Sequence, residues 1–402
     1  MTRVLLVTGK GGVGKTTVAG ATAMRAAALG DDVLVTSTDP AHSLGDLFDV
    51  DLGDEPRTVA PRVRALQLDG QARLERHWAD VRDWLVEVFV AGGVDRVQAG
   101  ELVLLPGMDE LFALLDVQQR VAAGDHDLVV VDCAPTAETL RLLALPEALA
   151  FYTDRLLGPS RRLARLVRPV TRSVVGVPVP DDHVFSTVDD IHRRLTEVRD
   201  LFTDPDRTSV RLVMTPERLV VAEAMRTATA LSLFGHAVDA VIVNRVLATQ
   251  EPGSTLAGWQ DQQAEHLATI DDAFPTTMRL RVQWQQREPI GVDALAALGH
   301  DLYADLDPRD RLSTPPRIEV VATESGARVS VPLPFASRGD LDLHRRGSDL
   351  HVTVGSVKRV ISLPPSLATY EVAGAGLSDG TLVVRLQPAP TQVPSQVTNV
   401  AS

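Results

Sequence analysis

Residues 3–17 read RVLLVTGKGGVGKTT, and the fold follows from this stretch. Val4 to Val7 is a short apolar run that stops at a glycine-rich turn, the pattern of a strand buried in a parallel sheet. Behind the turn, Thr17 to Leu29 (TVAGATAMRAAAL) is alanine-rich and predicts a helix closed by Gly30. Between strand and helix, Gly9 to Thr16 fits the phosphate-loop pattern G-x-x-x-x-G-K-[ST]. Glycines there let backbone N–H groups curl around phosphate oxygens, and the helix N-terminus adds partial positive charge. Lys15 is expected to reach the β- and γ-phosphates of ATP, and the Thr16 hydroxyl to ligate Mg²⁺. The expected nucleotide-binding set is Gly9, Lys10, Gly11, Gly12, Val13, Gly14, Lys15, Thr16 and Thr17. Lys10 makes the loop a deviant one. A lysine at that point cannot easily reach its own γ-phosphate, so it is expected to serve a nucleotide held by a facing subunit.

Working outward, Val33 to Thr36 predicts a second strand, ending at Asp39-Pro40, and Leu128 to Val131 a third, running into Asp132. Asp109 to Ala123 and Arg218 to Leu233 predict helices, and Arg211 to Met214 and Val241 to Val243 two more strands. Strands alternating with helices imply an α/β fold, a doubly wound parallel sheet. Asp39 and Asp132 would both lie at its carboxyl edge, where open α/β sheets bind ligands. Asp132 could hold Mg²⁺ through water, and Asp39 could position and polarise the attacking water. Helix capping is the plain alternative for either aspartate. The expected metal set is Thr16, Asp39 and Asp132; the expected catalytic pair is Asp39 and Lys10.

The βα pattern breaks over about 151–205, which reads as a helical insertion into an ATPase domain covering 1–306. Residues 307–317 (DPRDRLSTPPR) read as a proline-containing charged linker. Beyond it, 318–386 alternates polar and apolar residues in short runs, the pattern of a small all-β sandwich, with strands expected at Val352–Val354, Arg359–Leu363 and Leu382–Leu386. The stretch 387–402 is polar and proline-containing and is expected to be disordered.

Composition narrows the function classes. With 402 residues, 45% of them hydrophobic, the chain is too long for one ordinary core. Forty Lys+Arg against 53 Asp+Glu give a net charge of −13, so no nucleic-acid partner is expected. One cysteine, Cys133, excludes an intrachain disulfide and any multi-cysteine zinc site within one chain. No stretch reaches the roughly 18 apolar residues of a membrane span, and the N-terminus lacks the features of a signal peptide. The expected compartment is the cytoplasm.

KGGVGKTT, DPAHSLGD (39–46), PGMDE (106–110), DCAPTAETLRLL (132–143) and VNR (243–245) occur in that order. Together they resemble the ArsA and guided-entry-of-tail-anchored-protein ATPases, over residues 1 to about 305. The resemblance implies a nucleotide-sandwich dimer, a homodimer or a heterodimer with a paralogue, with Asp39 the catalytic aspartate of a first switch and 132–136 the second switch. It further implies that Asn244 contacts adenine and that Glu217 touches nucleotide. The proline-leucine of the family's adenine loop is missing from RLRVQWQQREPIGVDAL (279–295). The metalloid-binding cysteines of the arsenite-pump members and the Cys-x-x-Cys zinc pair of the eukaryotic targeting members are missing too. The segment 349–386, with L-P-x-x-L and D-G-x-L-x-V, resembles the α-crystallin domain of small heat shock proteins.

Three roles are open to such an ATPase: handling or targeting of hydrophobic client proteins, driving an anion or arsenite pump, or ParA/MinD-like positioning. Arg155 to Arg172 (RLLGPSRRLARLVRPVTR) interleaves arginines with Leu156, Leu157, Leu163, Leu166 and Val167. Such a segment suits a hydrophobic client or a membrane partner, or is simply a solvated helix face.

Overall fold

In chain order the first unit runs β1 (Arg3–Gly9), α1 (Lys15–Leu29), β2 (Val33–Ser37), α2 (Ser43–Phe48), β3 (Arg57–Ala60), β4 (Val63–Gln67), α3 (Met108–Ala123), β5 (Leu128–Asp132), α4 (Asp182–Thr203), β6 (Thr208–Met214), α5 (Arg218–Leu233), β7 (Val238–Val246), α6 (Ala257–Ala273), β8 (Met278–Gln283) and α7 (Val292–Tyr303). The computed structural model describes residues 1–39, 43–68, 108–134, 182–248 and 256–388, with isolated positions between 83 and 98. Residues 151–181 of the expected insertion, its arginine-leucine segment included, lie outside the described residues, as do Pro135 and Thr136 of the second switch and the tail beyond 388. The chain divides into two units, Met1–Pro315 and Pro316–Ser402.

The eight strands of the first unit form one sheet in the order β3-β4-β2-β5-β1-β6-β7-β8. Every neighbouring pair is parallel except β3 with β4, which closes one edge as an antiparallel pair. The strand order reverses direction at β1, between β5 and β6, so the turn after β1 opens at a topological switch point. β1, β2, β5 and β6 bury almost every side chain, as expected for strands covered on both faces.

α1 is short-sided because it must pack closely. A Cβ added at Gly299 of α7 would stand 2.3 Å from the Ala21 carbonyl oxygen, so only glycine lets these two helices meet. Thr22 of α1 shares a 2.8 Å hydrogen bond with the Tyr303 hydroxyl at the end of α7. Tyr303 in turn accepts from Arg211 of β6, whose side chain is fully buried. The same guanidinium donates to the carbonyls of Pro308 and Asp310 and lies 3.6 Å from the buried carboxylate of Asp239. Asp239 also takes the Leu312 N–H, and its backbone oxygen takes the Ser313 hydroxyl. Residues 308–313, read from sequence as linker, are thus laced to the sheet of the first unit by a buried cation and a buried anion.

The second unit is all-β and antiparallel. Its strands are β9 (Glu319–Thr323), β10 (Gly326–Pro332), β11 (Leu341–Arg346), β12 (Asp349–Val354), β13 (Val357–Ser362), β14 (Tyr370–Ser378) and β15 (Thr381–Pro388). They form a four-stranded sheet, β14-β15-β10-β9, and a three-stranded sheet, β11-β12-β13. On β10, β12 and β15 alternate side chains are buried, among them Val329, Val331, Leu350, Val352, Val384 and Leu386, so these three strands present an apolar face, whereas β9 is exposed along its length.

Candidate active site

The phosphate loop leaves β1 at Gly9, where a Cβ would stand 2.2 Å from the Val213 carbonyl oxygen of β6. Gly12 and Gly14 hold left-handed φ values of 80° and 92°, which turn the loop back onto the start of α1. A Cβ at Gly14 would also strike the Asn244 side chain at 2.4 Å. That amide, at the end of β7, donates from Nδ2 to the Val13 carbonyl at 2.8 Å, while its Oδ1 accepts the Arg245 N–H at 2.9 Å. Asn244 therefore braces the loop from behind and still has a second amide hydrogen to offer a base.

Lys15 opens α1 with its side chain buried, its ammonium 3.5 Å from the Lys10 carbonyl oxygen. Lys10 itself reaches away from the loop and pairs with Glu223 of α5 at 3.2 Å, both side chains partly exposed. Glu217, just before α5, is exposed, and its carboxylate accepts the Thr215 hydroxyl at 3.1 Å.

The two aspartates meet across β2 and β5. Ser37 donates its hydroxyl to Asp132 Oδ2 at 3.2 Å and accepts the Asp39 N–H at 3.1 Å. The Thr38 N–H donates to the Asp132 carbonyl at 2.9 Å, and the Thr38 hydroxyl accepts the Ala134 N–H at 3.2 Å. Gln67 at the end of β4 donates to the Asp39 carbonyl at 2.8 Å. Residues Ser37–Asp39 and the DCA stretch are therefore stitched together. The Thr16 and Ser43 hydroxyls lie 3.1 Å apart. Pro40, Ala41 and His42 lie outside the described residues.

Asp132 has no solvent exposure, and its Oδ1 has no hydrogen-bond partner. Burial drives its carboxyl up to about 6, against the opposing pull of the Thr16 hydroxyl, the Lys15 ammonium and the Ser37 hydroxyl. A buried acceptor left open beside a threonine hydroxyl is what a hydrated divalent cation would complete, so Thr16 and Asp132 fit Mg²⁺. Among the described residues no three His, Cys, Asp or Glu side chains form a cage. Mg²⁺ with a nucleotide needs none, since phosphates and waters fill most of its octahedron. Cys133 is buried and its thiol is pushed up by desolvation, leaving it a small apolar group with no ligand character.

Ser37, Thr38, Ser43 and Gln67 carry no sequence signal of their own; the first three lie inside or beside the DPAHSL stretch, whereas Gln67 is brought to Asp39 only by the pairing of β4 with β2. Arg245 and Trp284 also escaped sequence reasoning. Arg245, in a left-handed φ of 59°, sets its guanidinium 5.8 Å from the Trp284 ring, next to Asn244.

The model of the anion-transporting ATPases matches residues 2–304, three quarters of the chain. The chain belongs to the ArsA family of anion-transporting ATPases. As a member it is an ATPase, with a nucleotide as its substrate, and a second model, the HSP20-like domain found in ArsA, matches residues 324–386. A protein named as an arsenical pump-driving ATPase from Prosthecochloris vibrioformis is 37% identical over 380 residues, 94% of either chain. A similarly named protein from Chlorobaculum tepidum is 36% identical over the same share. The ATPase GET3 of Rhodotorula glutinis is 28% identical over 301 residues, 74% of this ArsA-family chain and 80% of that protein.

Proposed function

We propose that the chain hydrolyses ATP with Mg²⁺ at the Gly9–Thr17 loop, as half of a dimer whose closure is coupled to handling or targeting of hydrophobic clients. The observation that carries the chemistry is the buried, half-satisfied Asp132, stitched through Ser37 to Asp39 across from Lys15 and Thr16. The loop amides and the α1 N-terminus bind the phosphates, Lys15 neutralises the β- and γ-oxygens, and Asn244 orients the base. Thr16 and Asp132 would hold the Mg²⁺, with Asp39 close by. Held there, Mg²⁺ would supply charge neutralisation at the phosphates. Asp39 orients and polarises the attacking water, and Ser37 and Gln67 hold its backbone for that task. Lys10 reaches the nucleotide of the facing chain once it leaves Glu223. Among the described residues no helix is long and apolar enough to cross a membrane. The client reading rests on the family and on the arginine-leucine segment 155–172. The names of the bacterial relatives favour a second reading, the ATPase of an anion or arsenite pump. Cys133, sealed and alone, supplies no metalloid thiolates for it.

The chemistry is tested by two variants. Lys15→Ala should lose ATP affinity outright. Asp39→Asn should keep the affinity within about threefold yet lower kcat by at least about 100-fold, because an amide cannot polarise water as a carboxylate does. Equal loss of ATP affinity in both would remove Asp39 from the catalytic role.

A further inference from the structure

α2 reads SLGDLF and buries Leu44, Leu47 and Phe48, a single stripe at helical spacing. That stripe seats the short helix between α1 and α7. A Cβ added at Gly20 of α1 would stand 2.7 Å from the Leu47 side chain, and the Leu47 carbonyl accepts the Gly291 N–H at 2.9 Å just before α7 begins. Ser43 is the first residue of α2 and is only partly buried. Its hydroxyl lies 3.1 Å from that of Thr16, in the first turn of α1. Thr16 is likewise partly exposed, so neither residue is sealed from a ligand.

Two hydroxyls that share one hydrogen bond use one proton between them and keep lone pairs on both oxygens. Their spacing also matches a second arrangement. Mg²⁺ holds six oxygens at about 2.1 Å in an octahedron, which sets neighbouring ligand oxygens about 3.0 Å apart. The Thr16 and Ser43 oxygens thus already stand at the separation of two adjacent corners. A hydroxyl that ligates through a lone pair must donate its proton elsewhere. Thr16 has the Asp132 carboxylate, whose ionised form its hydroxyl already favours and which keeps one oxygen open. Ser43, partly exposed, can donate to water or to a phosphate oxygen. We propose that Ser43 is a second hydroxyl ligand of the nucleotide's Mg²⁺, at the corner beside Thr16. This rests on the Mg²⁺-ATP reading above and extends it from the phosphate loop to α2. Ser43 stands four residues after Asp39, so a ligand there ties the chain that follows this aspartate to the metal. α2 then registers whether the ion is bound.

Calorimetric binding of a non-hydrolysable imido analogue of ATP to the full-length chain tests this without turnover. In wild type, Mg²⁺ should strengthen analogue binding relative to chelator. Ser43→Ala should lose about tenfold of that gain, with binding in chelator changed by less than about twofold, and Ser43→Thr should keep the gain. Ser43→Cys separates a ligand from a mere hydrogen-bonding neighbour. A thiolate suits Mg²⁺ poorly and Cd²⁺ well, so this variant should bind the analogue weakly with Mg²⁺ and regain the affinity with Cd²⁺. A thiolate-to-cadmium charge-transfer band should appear in the ultraviolet only when Cd²⁺ and the analogue are both present. Wild type should show no such band, because Cys133 is buried. An undiminished Mg²⁺ gain in Ser43→Ala overturns the proposal, as does a folded Ser43→Cys chain with neither Cd²⁺ recovery nor the band. If Thr16→Ala loses the gain while Ser43→Ala keeps it, the Ser43 assignment alone falls. If wild type gains nothing from Mg²⁺, the Mg²⁺-ATP reading falls with it.

Discussion

Under the proposed function Asp132 is both a liability to the fold and an asset to the chemistry. Its carboxyl titrates near 6 in the folded chain against 3.8 when unfolded, chiefly because it is desolvated. The folded state thus holds that proton more tightly. This contribution to stability is fully present below pH 3.8 and is lost as pH rises through about 6. The difference amounts to roughly 3 kcal/mol at pH 7. Asp132→Asn removes the penalty. In chelator and without nucleotide, the variant should unfold at higher urea than wild type at pH 7, and its advantage should shrink towards pH 4. It should nevertheless lose Mg²⁺-dependent hydrolysis. A variant less stable than wild type at pH 7, as measured by urea unfolding, would show that the Ser37 hydrogen bond outweighs desolvation. The open Oδ1 that makes this carboxylate expensive in the empty fold is the atom that fits it to a hydrated cation.

Arg211 and Asp239 organise the opposite economy among elements, joining β6, β7, α7 and residues 308–313 through buried charge. Removing one partner of such a pair strands the other, with a penalty of about 3–5 kcal/mol, whereas replacing both by apolar residues can be near neutral. Arg211→Met should therefore destabilise the first unit by about that amount. It should also open the 308–313 segment to trypsin at Arg309 and Arg311, which pair with Asp31 and Asp206. Arg211→Met/Asp239→Leu should recover most of the stability but not the protease resistance, since the carbonyls of Pro308 and Asp310 stay unanchored. This network also shows what sequence could reveal. The central parallel strands were legible because both faces are buried and their apolar runs are continuous. The β3–β4 edge pair was not, because RTVA and VRALQ are short and carry arginines into solvent. Nor was β8, where MRLRVQ alternates as an outer strand does. Lys15, Thr16, Asp39 and Asp132 were legible from motif spacing. Ser37 and Gln67 were not, because their roles come from strands that are neighbours only after folding, and Arg211 reads as a stray charge in an apolar run until Asp239 is placed beside it.

At the scale of the whole molecule the open matter is where Lys10 acts. In the single chain it is held by Glu223 in a partly exposed ion pair, an interaction of the kind worth at most about 1 kcal/mol. So weak a tether can be exchanged for a phosphate without a large penalty. Two chains of charge −13 repel at long range, yet salt screens that repulsion beyond roughly 8 Å under physiological conditions. Contacts at the nucleotide would then decide whether the chains close, and a lysine offered across the gap is the contact that answers the phosphate charge. Mixing wild type with an excess of a Lys10→Ala/Asp39→Asn double variant distinguishes the two arrangements. If Lys10 acts on the facing nucleotide, each mixed dimer pairs the intact Asp39 with a missing lysine, and the intact lysine with a missing aspartate. ATPase activity per wild-type chain should then fall towards zero as the double variant is added. If Lys10 acts within its own chain, every wild-type chain keeps a complete site, and activity per wild-type chain stays level. A level titration, in samples where mixed dimers are verified by differential tagging, would return Lys10 to the service of its own chain and leave the Glu223 pair a surface contact only.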